Sequence, residues 1–114
     1  ERTAAEADIA AARAEREREI ARLTARLAAS VSEAERIRAE VIPVAERTVT
    51  QVREGFNRGG FAYIDVTEAE RALADARSRR TAMLRQYHLD HARLDRLTGR
   101  HAALLSTFSN VETR

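Results

Sequence analysis

The sequence predicts an all-α chain, a long antiparallel two-helix coiled-coil hairpin, and three observations predict it. Two flanks are built of Ala, Arg, Glu and Leu at helical spacing. Both flanks carry apolar residues alternately three and four apart, the 3.5-residue period of a coiled-coil seam rather than an ordinary surface helix. One short interruption, Gly55 to Tyr63, separates them and holds three of the chain's four glycines and three of its five aromatics.

Residues 5–20 read as helix on propensity alone, since Ala, Glu and Arg are among the best helix formers. The first seam then runs Ile20, Leu23, Leu27, Ser30, Ala34, Ile37, Val41, Val44, Thr48 and Gln51, seven of the ten apolar. Pro43 lies inside it. Proline lacks an N–H and its ring crowds the preceding turn, so a bend is expected there. The heptad phase continues through Pro43 unbroken, which predicts a kink and not an end. The first helix spans about residues 3–57 and stops near Gly55 to Asn57, where a glycine takes the left-handed end conformation.

A tip loop follows, about 58–64. The second helix, about 65–98, opens on two nested capping boxes, Asp65 with Glu68 and Thr67 with Glu70. Its seam is Val66, Ala69, Leu73, Ala76, Arg80, Met83, Tyr87, Asp90, Leu94, Leu97, His101, Leu104 and Phe108, ten of the thirteen apolar or aromatic. The segment 99–114 is expected to be partly helical, and residues 1–114 to form a single hairpin. A short connection makes neighbouring helices antiparallel. A fold-back centred near residue 61 sets Leu73 near Val49, Tyr87 near Ala34 and Leu94 near Leu27, large residues against small. Val31, Ile42, Val52, Leu84, Leu89 and Leu105 lie off the seam and are expected to face further helices.

Composition narrows the function. Twenty basic residues, all Arg, face 18 acidic ones, for a net charge of +2 over 114 residues. In EREREIAR the signs alternate, so no one-sided basic stripe exists for nucleic acid. Without cysteine there is neither a disulfide framework nor a cysteine zinc site. No signal peptide and no long apolar run is present within these residues. The opening ERTAAEADIAAARAE reads as mid-helix, so the chain is expected to be a piece of a longer protein.

The bend carries a resemblance. Phe56-Asn57-Arg58-Gly59 gives an aromatic, two residues and a glycine. Asp65-Val66 follows as an acidic pair, then Ala69-Glu70-Arg71-Ala72-Leu73, and Leu94-Asp95-Arg96-Leu97-Thr98-Gly99 closes the series, with Tyr87-His88 between. This ordered series, over roughly residues 36–99, resembles the TolC-like outer-membrane factors of tripartite (RND-type) efflux systems, in particular their heavy-metal-efflux (cobalt-zinc-cadmium) branch. Thr67 stands where an apolar residue is common in that family, and Glu70 where Gln is usual.

The resemblance implies that the chain is a C-terminal periplasmic hairpin, part of the tunnel of a bacterial outer-membrane protein that works as a homotrimer. Its bend would be the tip that meets a periplasmic adaptor (membrane fusion) protein, with the inner-membrane pump engaged indirectly. Phe56, Arg58, Gly59, Gly60, Phe61 and Tyr63 are then the docking residues. Glycine permits close backbone approach, and exposed aromatics anchor interfaces. The alternative is that the glycines allow the turn and the aromatics plug the hairpin's end. Asp65 and Glu68 would lie at the tunnel entrance, where copies around a trimer form an acidic ring that favours cations; acidic residues at a helix start also have a purely local capping role. The cargo implied is metal cations or other toxic small molecules. A different class, the coiled-coil hairpin of an adaptor or another structural interaction module, shares the helical pattern and would be separated by the sequence preceding residue 1.

No enzyme is expected. No Ser/His/Asp set or phosphate loop is present, and a two-helix hairpin offers no concave substrate site. His88 and His91 sit three apart in YHLDH with Asp90 and Asp95 nearby, but a metal site needs three or four converging ligands. They are read as surface residues, His101 as a packed or capping histidine, and no metal or other cofactor is assigned. Arg80 and Asp90 occupy seam positions, where polar residues fix register; Glu40 is the expected partner of Arg80.

Overall fold

A computed structural model describes residues 1–99 together with 106 and 107. Helix α1 spans Arg2–Arg36, a π-helical turn follows at Ile37–Val41, α2 spans Ile42–Asn57, and α3 spans Tyr63–Thr98. Among the described residues there is no strand, and the α1–α2 arm packs antiparallel against α3 as an all-α hairpin. The seam positions His101, Leu104 and Phe108, off-seam Leu105, and most of the segment 99–114 lie outside the described residues.

The chain divides into two compact units: Ala29–Gln86, which contains the bend, and Glu1–Ala28 with the chain from Tyr87 onward. In the terminal unit Leu23 is buried, and Ile20, Leu27, Tyr87, Leu94 and Leu97 are half-buried. Asp90 is buried at the seam beside the Arg26 guanidinium, Nε to Oδ2 3.4 Å. Arg93 reaches Glu19 at 3.0 Å, and Arg16 Nε donates to the Leu97 carbonyl at 3.0 Å. A fold-back centred at residue 61 would set Ser32, not Arg26, beside Asp90, so the register lies further toward the N-terminus than expected.

In the bend unit the α3 seam follows its heptads: Val66, Ala69 and Ala76 are buried, and Leu73, Arg80 and Met83 half-buried. The first arm departs from its heptads. Ser30, Ala34 and Ile37 are buried on phase, but Val44 is 53% exposed while Val49 is 6% exposed. Thr48 and Gln51 are also exposed, and Ala45 and Val52 half-buried in their place. The seam therefore does not run through Pro43 unbroken; it steps forward by one residue.

The cause is the π turn. The Ile42 N–H donates to the Ile37 carbonyl, five residues back instead of four, which accommodates one extra residue in the turn. Pro43, in the first turn of α2, has no N–H to give and needs space from the carbonyl four residues before it; the wider turn supplies both conditions. The step exchanges Thr48 and Gln51 for Val49 and Val52 on the packed face, and burying a valine fully stabilises by roughly 1.5–3 kcal/mol. Ile42 and Val52, expected to face other helices, are thereby half-buried inside this unit, as is Leu84, whereas Val31 and Leu89 are exposed.

Ion pairs line the flanks of the bend unit. Arg53 pairs with Glu70, Arg77 with Glu46 at 3.6 Å, and Arg79 with Glu33 at 3.1 Å. Glu33 also accepts from Arg36, whose hydrogen bond holds its carboxyl below the usual glutamate value. Arg38 does the same for Glu35, with Arg80 adding a weaker attraction. Arg80 Nε is buried without a hydrogen-bond partner.

Candidate functional site

The bend is built from the end of α2 upward. Gly60 N–H donates to the Gly55 carbonyl at 2.8 Å and Gly59 N–H to the Phe56 carbonyl at 3.0 Å, the paired bonds of a Schellman helix end. This motif needs a left-handed residue just past the helix, and Gly59 supplies it at φ +81°. The left-handed residue is Gly59, beyond Arg58, and not one of the residues 55–57.

Gly55 has a separate reason. A Cβ there would lie 2.0 Å from Cδ2 of Phe61, so the missing side chain is what lets the Phe61 ring lie on the last turn of α2. Gly60 has neither requirement. Its φ is not positive, and an added Cβ would meet only the Gly55 carbonyl oxygen at 3.5 Å, an ordinary contact. Two of the three glycines serve the turn; the hairpin itself makes no use of the third.

α3 begins at Tyr63, and Asp65 reaches back to accept from the Ala62 N–H at 2.9 Å. Asp65 is therefore the third residue of the helix closing one half of a capping box, with Ala62 at the cap position. The expected boxes do not form. Thr67 Oγ1 donates to the Tyr63 carbonyl at 3.3 Å, and Glu70 is taken by Arg53. Both lie too far into the helix, which starts earlier than the acidic residues suggested.

The outer surface of the bend is apolar. Phe56, Phe61, Tyr63 and Ile64 are all exposed, Tyr63 at 69%. The Phe56 and Tyr63 rings meet edge to face, centroids 5.8 Å apart at 63°, the geometry aromatic quadrupoles favour. The structure thus brings together Phe56, Gly59, Gly60, Phe61 and Tyr63, with exposed Arg58 alongside. Ile64 belongs to the same surface and was missed; its signal was an isoleucine set between an aromatic and the first acid of a helix. Asp65 is half-buried with one carboxylate oxygen committed to the cap, and Glu68, one turn on, is exposed.

Around YHLDH, His91 Nδ1 lies 3.3 Å from Asp95 Oδ2. The Tyr87 ring contacts both histidines, at 5.4 Å for His88 and 5.8 Å for His91. Among the described residues no group of three or more His, Cys, Asp or Glu could hold a metal ion. No described helix is long and apolar enough to cross a membrane.

Over 74 residues, 65% of its length, the chain is 35% identical to the cobalt-zinc-cadmium resistance protein CzcC of Cupriavidus metallidurans. The chain spans 18% of that protein's length. No protein-family profile matches the chain, and no solved structure matches it.

Proposed function

We propose that this hairpin is a tunnel-wall segment and adaptor-docking tip of an outer-membrane efflux channel that exports metal cations, acting by binding and shape, with no enzymatic step. The observation that carries the reading is the apolar tip: four large apolar side chains spent on solvent at a bend whose fold uses only two of its three glycines. Large exposed apolar groups clustered at one place mark interaction surfaces. Gly60 leaves room for a partner's backbone beside them. The similarity to CzcC supports metal resistance as the context, and the ordered motifs from Phe56 to Gly99 support the outer-membrane-factor branch.

In this reading the tip meets the hairpin of a periplasmic adaptor, and the inner-membrane pump is reached through it. Further helices, from the same polypeptide and from two more copies in a trimer, cover Val31 and Leu89. Asp65 caps α3 and, with Glu68, places negative charge at the tunnel entrance, where repetition around the trimer favours cations. The test is deletion of the gene that encodes the full-length protein. Cells should become sensitive to cobalt, zinc or cadmium and recover with the intact gene; unchanged tolerance to all three would remove the metal-efflux reading.

A further inference from the structure

We infer that the π turn at Ile37–Val41 is a phase-keeping device: it takes up one spare residue, localised by Pro43, so that Ala45, Val49 and Val52 pack on α3 where a regular α-helix of the same residues would present Val44, Thr48 and Gln51. The efflux reading is not needed for this inference, and neither stands or falls with the other.

Three observations within the bend unit carry it. The face buried before the turn, Ser30, Ala34 and Ile37, continues in sequence to Val41, Val44, Thr48 and Gln51. The face buried after it is one residue ahead. Opposite both, α3 presents one uninterrupted heptad face from Val66 to Met83 with no irregular turn. One arm therefore contains a residue that the other does not match. A helix advances by about 100° per residue, so a single extra residue wound into regular helix would turn everything up to the tip by that angle, whereas the wide turn takes it up without doing so. Wound as regular α-helix with the spare residue still present, the same arm would carry Thr48 and Gln51 onto the α3 face and Val49 and Val52 into solvent. Pro43 fixes where the extra residue is absorbed, because the turn before a proline is where the regular ladder is already broken.

The chain has no cysteine, so single cysteines report accessibility cleanly. In the full chain, Val44→Cys and Thr48→Cys should react with a thiol reagent at least about tenfold faster than Val49→Cys, in line with their exposure. Deleting Ala39, an exposed residue of the turn, together with Pro43→Ala should leave that order unchanged. A continuous helix lacking the spare residue carries both faces into line. The melting midpoint should stay within a few degrees or rise. Deleting Ala74 from α3, which has no spare residue, should abolish the protection at position 49. The inference is overturned if the Ala39 deletion exposes position 49, if it protects positions 44 and 48, or if it lowers the melting midpoint as far as the Ala74 deletion does.

Discussion

Val44 and Val49 are the same side chain, five residues apart on one helix, and only one of them packs. Truncating each to alanine therefore isolates burial from every other term. The helix-propensity gain from Val to Ala is common to both, about 0.5 kcal/mol. Removing two carbons at Val49, which is 6% exposed, forfeits about 0.8 kcal/mol for each in transfer energy and adds a cavity contribution. The net expectation for Val49→Ala is a loss of about 1–2.5 kcal/mol. Val44 is 53% exposed, so its transfer loss is roughly halved and leaves no cavity; Val44→Ala should be neutral within about 0.5 kcal/mol. Urea unfolding followed by circular dichroism at fixed protein concentration measures both. Equal losses, or a larger loss at Val44, would refute the one-residue step and restore the uninterrupted heptad phase.

Acid should weaken the hairpin through Glu33 and Glu35. Hydrogen bonds from Arg36 and Arg38 lower their folded-state values below that of an ordinary glutamate. Their contribution is thus present above the ordinary glutamate range and is lost as pH falls through the lowered values. Unfolding midpoints measured from neutral pH into acid should fall in that window, and less so for Glu33→Gln with Glu35→Gln. Gly55→Ala should push Phe61 off α2, since its Cβ would overlap the ring, and a fluorescent probe of apolar surface should bind the variant more strongly than the parent. The isolated chain should be strongly helical yet self-associate, because Ile9, Val31, Val44 and Leu89 are exposed along its helices; a high-melting monomer at micromolar concentration in sedimentation would count against the tunnel-wall reading.

Much of the fold was legible because one physical rule dominates it. Leu23, Ile37, Val66, Ala76 and Asp90 lie on the predicted seam since a 3.5-residue period leaves little choice of packed face. The π turn was not legible. Val44 and Val49 are equally apolar, and only a count of the residues available to each arm reveals that one is surplus. The capping boxes failed for a related reason: Asp65 and Thr67 both suit a helix start, and the Schellman bonds donated by Gly59 and Gly60 had already fixed how soon the chain could turn back. At the tip, glycine and aromatic content marked the place but not the division of labour. Gly55 is needed by a ring six residues on, Gly59 by its own φ, and Gly60 by nothing in the hairpin; such distinctions live in distances.

Gly60 is consequently the position where folding and the proposed docking separate. Gly59 is unsuitable because any side chain there meets a left-handed backbone, costing about 1 kcal/mol or more irrespective of a partner. In the full-length protein, Gly60→Trp should leave helicity and the proposed trimer intact, since the residue has ordinary φ and open surroundings. On the proposed docking reading, cross-linking from the tip to a periplasmic adaptor should be lost, and with it export of cobalt, zinc or cadmium, because an indole cannot be absorbed in a close backbone contact. Normal cross-linking and normal export with tryptophan at position 60 would contradict the docking role of this tip.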